Sequence, residues 1–531
     1  MLYSENRQSG EKDCYPLTVI LILVLVFLSS CSDSNRSVDR IISVEAFSDL
    51  KTPEFVLSLQ YIDSKIDALS KSDKAETAAD RMAQSYYRKK HRKLVWVSRY
   101  GVNECADSLL QLLHMVNEIG MSERAFMVGD IERDIHRMRM LDYDEKDNQA
   151  SCVAARLEYN LTKACFRYCL GQRYGFVNPH RLYNNLDIEK QDSVNQIVRY
   201  RGLFDVKMDL PSQHVADSIL QLVSTDRLGE FLREIQPADF YYLKLKSLLP
   251  DANNTEQRKR ILVNMERARW RRQQPIGDAK KYIVVNIPAY HLYAYCPDSM
   301  LDMRVVCGSM KTKTPQLSSY VEWMEVNPQW VIPFSIIEND VSLHAGDTAY
   351  FSRNHYKIYE KNTNRQIPIH YVSRQMLLTG KYRVAQEGGS GNSLGRIIFR
   401  FKNNYSVFLH DTSNPGAFNR ESRAISHGCV RLSKPFELAC FLLDNPNEWL
   451  LDCIRISMGI SPATERGMEY ISQHQDTEHH KLINYVPVKP RVPLFIIYNT
   501  LWPDADGVLQ PWPDVYGFDQ AMWEELRVYT L

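Results

Sequence analysis

The sequence carries almost no net charge. Its 531 residues include 65 lysines and arginines and 64 aspartates and glutamates, which gives a formal charge of +1 at pH 7. Proteins that bind nucleic acid through its phosphates usually carry a basic excess, so this balance gives no argument for a nucleic-acid partner, and we expect none. The length allows roughly two to four domains, each with a core of its own.

The eleven cysteines include no Cys-x-x-Cys pair, which weakens the interpretation as a thiol–disulfide enzyme or a zinc ribbon. Cys165 and Cys169 are four residues apart on one face of a predicted helix, and we interpret them as small buried side chains. Two ligands without a second pair make a poor metal site. The polar segment from His474 to His480 has irregular spacing and is interpreted as a solvated linker, so no metal is predicted.

No apolar run is long enough to cross a membrane comfortably, because a spanning helix needs about 20 residues. Leu17–Leu28 is nearly pure apolar, follows positive charge at Arg7 and Lys12, and ends in Leu28-Ser29-Ser30-Cys31, which resembles a bacterial lipobox. This pattern is typical of a secretion signal. Residues 1–31 are therefore predicted to be a lipoprotein signal peptide, with the lipid on Cys31. The alternative is an uncleaved signal anchor, and in both cases the rest of the chain lies outside the cytoplasm.

Residues 32–275 read as a helical domain. Apolar side chains recur at helical spacing, for example Leu157, Leu161 and Cys165, and glycine is scarce. Pro275-Ile276-Gly277 ends this pattern and marks the best domain boundary. The overall prediction is an α+β chain, with a mostly helical first domain and a mostly β second domain over residues 276–460.

The second domain is predicted from short β-branched and alternating runs, followed by a helix over Ser433–Leu443. The predicted strands are Ile283–Val285, Leu292–Tyr295, Met303–Val306, Trp330–Ile332, Ile397–Arg400 and Tyr405–Leu409. Residues 335–379 form a long, irregular, aromatic insertion of the kind that often covers a site. Residues 461–531 are predicted to be an extension that adds a strand near Val492–Thr500, or a hairpin, to the body.

One segment carries the chemistry. Cys429 lies two residues after His427 and nineteen after His410. A thiol becomes a nucleophile as its thiolate, and a nearby imidazole can take the proton. Gly428 leaves room for backbone N–H groups to face a reacting carbonyl, as an oxyanion hole requires. Tyr405–Leu409 would place His410 at a strand end, with Cys429 on the loop that follows.

The segment Ser426-His427-Gly428-Cys429-Val430 together with His410 resembles the signature of the YkuD-type L,D-transpeptidases, and the wider match is to their long, multi-domain YcbB-like class. The match includes Tyr282–Ala289, Thr314-Pro315, Asn327–Pro333, Gly391–Arg396 and, upstream, Leu157–Pro179, which resembles the helical scaffold of that class. The resemblance implies a β-sandwich-like catalytic domain and a substrate-capping insertion over residues 335–379. It also implies that no cofactor is needed. Only Asp251–Gln274 separates the two domains, which leaves no room for the peptidoglycan-binding module that many members carry there.

The resemblance also implies the reaction. Cys429 attacks the carbonyl of the third residue of a peptidoglycan tetrapeptide stem, the terminal D-alanine leaves, and an amine of a second stem resolves the thioester. His410 is the base, oriented by a backbone carbonyl such as that of Asp411, with the Asp411 side chain as a rival. The N–H groups of His427, Gly428 and Cys429 form the oxyanion hole, and the His427 ring is a reserve base.

Three further residues are expected at the substrate site. Arg431 either pairs with a substrate carboxylate or holds the loop to the body, and both interpretations stand. Ser426 and Asp411 are placed beside the substrate, and the Ser426 hydroxyl is also suited to fixing the loop. The expected partners are stem peptides and, through the lipid on Cys31, the periplasmic side of a bacterial membrane in the cell envelope.

Two other classes of function remain open from the sequence. The first is a hydrolytic L,D-carboxypeptidase or another Cys-His peptidase of the cell wall, which shares the chemistry until water or an amine resolves the thioester. The second is a wall-binding lipoprotein without activity, against which the intact Ser-His-Gly-Cys argues.

Overall fold

The computed structural model describes residues 55–89, 93–144, 146–192, 197–389, 391–474 and 481–530. The predicted signal peptide, Cys31 and most of the polar segment after His474 lie outside these residues. Within the described ranges, none of the helices combines the length and the apolar character needed to cross a membrane.

The first half of the chain is helical, as the periodicity predicts, and several helices begin at residues whose side chains cap them. Thr77 and Asp80 form a capping box in which each side chain accepts a hydrogen bond from the other residue's backbone N–H. Leu157, Leu161 and Cys165 lie in the longest helix and are fully buried. The α-helices among the described residues of this half are α1 (Leu59–Ser72), α2 (Ala78–Tyr87), α3 (Cys105–Leu113), α4 (Val128–Met140), α5 (Ala150–Tyr174), α6 (Pro179–Tyr183), α7 (Val215–Ser224), α8 (Leu228–Glu234), α9 (Phe240–Ser247) and α10 (Thr255–Arg269).

Short strands interrupt the helices of this mostly helical region. They are β1 (Val97–Ser98), β2 (Gly101–Val102), β3 (Asp187–Asp192), β4 (Ile197–Arg201) and β5 (Phe204–Asp205). The pair β3–β4 is rich in charged residues and has no apolar alternation, so the sequence pattern does not predict it. β5 leaves the helical region and joins the sheet of the second half.

The second half opens with four strands, β6 (Tyr282–Asn286), β7 (His291–Cys296), β8 (Ser299–Gly308) and β9 (Gln316–Val326). The first three confirm the predicted runs and extend them by a few residues. β9 was not predicted, because serines and glutamates break its apolar pattern and its partner β14 shifts register partway along it. Its buried residues include Leu317, Val321 and Met324.

The predicted insertion is a folded unit that is larger than residues 335–379. It contains β10 (Trp330–Val331), α11 (Phe334–Asn339), α12 (Thr348–Arg353), β11 (Tyr356–Glu360), β12 (Gln366–Ile367), α13 (Arg374–Leu378) and β13 (Tyr382–Gln386). The strands form one antiparallel sheet in the order β10-β13-β11-β12. Ile337, Phe351, Ile358 and Val384 belong to a hydrophobic core of this unit that is separate from the main core.

The remaining elements complete the chain. They are β14 (Ile397–Phe401), β15 (Leu409–His410), β16 (Ala424–Ser426), β17 (Val430–Leu432), α14 (Pro435–Leu442), α15 (Glu448–Ser457), α16 (Glu465–Gln473), β18 (Tyr485–Ile497), β19 (Leu501–Pro503), β20 (Leu509–Pro511) and α17 (Phe518–Leu526). The strand predicted over Tyr405–Leu409 is wrong except at its last residue. The Asn403 side chain accepts the N–H groups of Tyr405 and Val407, and Ser406 has a positive φ, so this segment is a turn.

The sheet of the second half closes on itself. Its strands run β14-β15-β17-β8-β7-β6-β18-β9, and β9 pairs in turn with β14, so the strands surround a common core. β18 is one of the strands of this ring and lies between β6, to which it is parallel, and β9, to which it is antiparallel. The segment predicted as an extension therefore supplies an internal strand. The same hydrophobic cluster continues into the helices of the first half, which confirms the α+β fold and joins both halves around one core.

Candidate active site

The two central residues of the sequence analysis lie on neighbouring parallel strands. β15 pairs with β17 so that Leu409 faces Val430 across the strands, and both of these side chains belong to the main core. Side chains alternate along a strand, so His410 points to the opposite, outer face. Cys429 comes directly before Val430, at the end of the loop that leads into β17. The β15–β17 pairing therefore brings the backbone of His410 close to the backbone of the residue that follows Cys429.

A backbone oxygen fixes the tautomer of His410. Nδ1 lies 2.5 Å from the Asp411 carbonyl oxygen, which can only accept, so Nδ1 carries the proton and Nε2 keeps its lone pair. Burial, and after it the Arg431 charge, lower the pKa of His410, the backbone oxygens of Asp411 and Leu394 oppose them, and the net pKa is about 4. The ring is neutral near pH 7, as a proton acceptor must be.

The Cys429 thiol donates to the backbone oxygen of Ser406, at a sulfur–oxygen distance of 3.8 Å. Burial raises the pKa of the thiol, while the Phe408 N–H and the charges of Arg431 and Arg400 oppose this rise. In the described part of the chain, no hydrogen bond joins this thiol to His410. The resting pair is therefore a neutral thiol beside a neutral imidazole.

The loop that carries Cys429 is held by Ser426. The Ser426 hydroxyl donates to the Cys429 carbonyl oxygen at 2.6 Å and accepts the Gly428 N–H at 3.1 Å. Gly428 has φ +113°, a conformation that L side chains rarely adopt. Ser426 already accepts the Gly428 N–H, so the part predicted for this N–H in an oxyanion hole is not supported by its bonding here and stays a prediction. The Ser426 side chain is buried and serves the loop, not the open site.

Two N–H groups of this loop stay available. Among the described residues, neither the His427 N–H nor the Cys429 N–H has a protein acceptor. Both belong to the set that the sequence predicted for an oxyanion hole. The His427 side chain is exposed and lies on the same loop as the thiol.

Asp411 and Arg431, the remaining predicted site residues, have different surroundings. The Asp411 carboxylate accepts the Arg396 N–H at 2.9 Å, so it organises the neighbouring loop, and its backbone oxygen orients His410. Arg431 is partly buried, its Nε is enclosed without a hydrogen-bond partner, and no acidic side chain of the described chain forms an ion pair with it. The geometry gives no support to the interpretation that Arg431 holds the loop.

Two family models match the chain. The L,D-transpeptidase catalytic domain of the YkuD family matches residues 280–447, and a model described as a scaffold domain matches residues 81–249. The chain carries a YkuD L,D-transpeptidase catalytic domain. A protein of Haemophilus influenzae with the name "Putative L,D-transpeptidase" is 27% identical over 322 residues, which cover 58% of this chain and 60% of that relative.

Three residues around the site of the transpeptidase domain have contacts that the sequence did not reveal. Arg400 forms a two-pronged ion pair with Glu325 at 3.0 Å and lies over the Phe408 ring, so its charge acts on both His410 and Cys429. Thr314 and Tyr516 form hydrogen bonds behind the Cys429 loop. A lone arginine, threonine or tyrosine gives no sequence signal of this kind. The described residues contain no group of three or more His, Cys, Asp or Glu side chains that could hold a metal ion.

Proposed function

We propose that this protein is an L,D-transpeptidase that cross-links peptidoglycan stem peptides through a thioester on Cys429. The observation that carries the proposal is the pairing of β15 with β17, which brings His410 and the Cys429 loop together, beside two N–H groups that have no acceptor in the described chain. A thiol, a base with a free lone pair and an oxyanion site are the parts that acyl transfer needs.

In the first half of the reaction, Cys429 Sγ attacks the carbonyl carbon of the third residue of the donor stem. The thiol turns from the Ser406 oxygen toward His410, and Nε2 takes its proton as the carbon–sulfur bond forms. The oxyanion is stabilised by the N–H groups of Cys429 and His427. The imidazolium then gives the proton to the departing amine, so D-alanine leaves and the acyl group remains on sulfur.

In the second half, an amine of another stem attacks the thioester carbonyl. His410 accepts the proton that this amine loses and returns it to the sulfur as the carbon–sulfur bond breaks. The products are a new amide between two stems and the original thiol. If water takes the place of the amine, the same steps give a tripeptide, which is the carboxypeptidase outcome.

Arg431 is proposed to bind a carboxylate of the donor. Arg431 pairs with His410 across the strands, its charge acts on the Cys429 thiol, and it has no ion-pair partner in the described chain. A planar guanidinium binds a carboxylate through two hydrogen bonds. The same charge favours the thiolate.

The folded insertion, residues 330–386, is proposed to cap the donor, and Cys31 to carry a lipid that holds the enzyme at the periplasmic side of a bacterial membrane. The lipid is tested by metabolic labelling with a radioactive fatty acid. The native chain should incorporate the label and a Cys31→Ala variant should not. Equal incorporation by the two chains would reject Cys31 as the lipid site.

The experiment that tests the function uses purified cell walls rich in tetrapeptide stems. We expect incubation with the enzyme to produce dimers joined through two third-position residues, together with free D-alanine, as measured by chromatography and mass spectrometry of the digested wall. Cys429→Ala is the matched control. Tripeptides without dimers would show a carboxypeptidase instead, and an unchanged wall would contradict the proposal.

A further inference from the structure

A chain of buried hydrogen bonds lies behind the Cys429 loop. The Tyr516 hydroxyl donates to the Gly308 oxygen at 2.6 Å and accepts the Thr314 N–H at 3.2 Å. The Thr314 hydroxyl accepts the Gly308 N–H at 2.8 Å and donates to the Gly428 oxygen at 2.8 Å. Each hydroxyl therefore donates its proton and accepts one hydrogen bond, and both belong to one buried network.

The backbone of residue 308 lies so close to that of Thr312 and Thr314 that residue 308 must be glycine. A Cβ atom there would lie 2.1 Å from the Thr312 oxygen and 2.7 Å from the Thr314 nitrogen. Thr314 is fully buried and Tyr516 nearly so. Water therefore has little access to replace these bonds, and a lost hydroxyl leaves a buried partner without a hydrogen bond.

The hydrogen bond from the Thr314 hydroxyl to the Gly428 oxygen also sets the direction of the next N–H group. Gly428 C=O and Cys429 N–H belong to one peptide unit, which is planar and, when trans, points its C=O and N–H in opposite directions. Fixing the carbonyl on the Thr314 side therefore fixes the direction of the Cys429 N–H on the opposite side. That N–H is one of the two without an acceptor in the described chain.

The Tyr516 end of this hydrogen-bond network is anchored in the C-terminal segment of the protein. The Tyr516 N–H donates to the Tyr498 hydroxyl at 2.7 Å, and Tyr498 donates to Asp514 at 2.6 Å. Asp514 also accepts the Asp519 N–H in the first turn of α17. This segment lies beyond the residues that match the catalytic-domain model, which end at 447.

We propose that Thr314 and Tyr516 are positioning residues that aim the Cys429 N–H at the developing oxyanion. The proposal rests on the acyl-transfer function proposed above. The C-terminal segment thus takes part in catalysis by fixing the direction of one peptide unit. None of its own groups touches the substrate.

The test separates reactions that need the oxyanion site from one that does not. Acylation of Cys429 by a carbapenem passes through a tetrahedral oxyanion, whereas alkylation by iodoacetamide does not. The variants are Tyr516→Phe and Thr314→Val, which remove a hydroxyl and keep the shape, and Thr314→Ser, which restores one. Tyr168→Phe is the control, because its buried hydroxyl binds Gln236 in the helical domain.

We expect acylation to slow by about tenfold to a hundredfold in Tyr516→Phe and Thr314→Val, since removing an oxyanion donor outright costs up to about a thousandfold. Thr314→Ser and Tyr168→Phe should remain close to the native rate. Alkylation of Cys429, followed by peptide mass spectrometry, should be unchanged in all four variants. Native acylation in both of the first two variants, or an equal fall in alkylation, would overturn the proposal.

A second readout does not depend on catalysis. In protein labelled with ¹⁵N-cysteine, the amide resonance of Cys429 should shift in Tyr516→Phe and in Thr314→Val but not in Tyr168→Phe. An unmoved resonance in the first two variants would reject the positioning role. If the native chain reacts with no carbapenem, the proposed function fails, and the resonance alone decides the positioning role.

Discussion

At the scale of single residues, the charges around the site act on the two partners in different ways. Arg431 and Arg400 lower the pKa of both Cys429 and His410. For the thiol this favours the reactive thiolate, and for the imidazole it disfavours the protonated form. Because burial raises the pKa of the thiol and lowers that of the ring, the pair rests neutral, and the proton moves as the carbon–sulfur bond forms.

The first prediction concerns the roles of the three reactive residues. Cys429→Ser should be nearly inactive, because a hydroxyl near its normal pKa is a far poorer nucleophile than a thiolate. His410→Ala should slow single-turnover acylation by about a hundredfold to ten-thousandfold, the usual contribution of a general base. His427→Ala should cost less, because its backbone N–H survives the substitution.

Stopped-flow acylation of each variant checks these values, and a thiolate titration of Cys429 accompanies it. If His427→Ala lost more activity than His410→Ala and raised the thiol pKa more, the two histidines would exchange roles. Native rates in both variants would remove histidine assistance from the mechanism.

The second prediction concerns pH. His410 has a pKa of about 4, so its ring accepts protons above that pH, and acylation should decline as the pH falls through about 4. The Arg431 charge helps to lower this pKa, and Arg431→Gln should therefore move the acid limb to higher pH. The pH profile of single-turnover acylation measures the acid limb of the native protein and that of Arg431→Gln. An acid limb near the ordinary histidine value of about 6.5 in the native chain would contradict this environment for His410.

At the scale of elements, the insertion has the features of an independent lid. Its core is separate from the main core, and its two ends are joined by the β10–β13 pairing, in which Val331 faces Ala385. We expect the chain to fold when residues 332–384 are replaced by Asn-Gly, a two-residue hairpin turn that suits this geometry.

The third prediction follows from that replacement. Carbapenem acylation should persist, because the reactive residues lie on β15, β17 and their loop, while turnover of the tetrapeptide stem should fall by about tenfold or more as contacts that orient the donor are lost. Steady-state kinetics with both substrates measures the difference. Unchanged stem turnover in a folded deletion would reject the capping role.

Elements with strong periodicity could be predicted from the sequence, and those that depend on distant partners could not. α5 follows from apolar spacing, and β6 to β8 follow from alternating runs. β9 was missed because its apolar residues are interrupted, and β18 appeared as an extension because its place between β6 and β9 is a property of the closed sheet. Within the site, Cys429, His410 and the orienting Asp411 oxygen were predicted, but Arg400, Thr314 and Tyr516 act through contacts that sequence spacing does not show.

At the scale of the whole molecule, the two halves share one hydrophobic core and a buried polar contact. Arg267 of α10 and Asp519 of α17 form an ion pair at 2.6 Å, with side chains that are 3% and 11% exposed. Asp519 also accepts a hydrogen bond from Thr500, whose backbone N–H donates to Asn264 of α10. The helical domain is thus tied to the segment that supports Tyr516.

The fourth prediction tests this contact. Asp519→Ala leaves the Arg267 charge buried without its partner and should lower the free energy of unfolding by about 3–5 kcal/mol. Glu525→Gln is the matched control on the same helix, because it breaks the exposed ion pair with Arg181 and should cost less than about 1 kcal/mol. Urea unfolding followed by circular dichroism measures both. Equal, small losses would show that the buried pair contributes little to the joint between the halves.

The central claim is that Cys429 carries the acyl group of a stem peptide, and intact-protein mass spectrometry tests it most directly. After brief incubation with a tetrapeptide donor and no acceptor, the native protein should gain the mass of the donor minus D-alanine, and peptide mapping should place that mass on Cys429. Cys429→Ser should gain nothing. A native protein that cross-links stems without this adduct at any reaction time, or an adduct on another residue that persists in Cys429→Ser, would contradict the account.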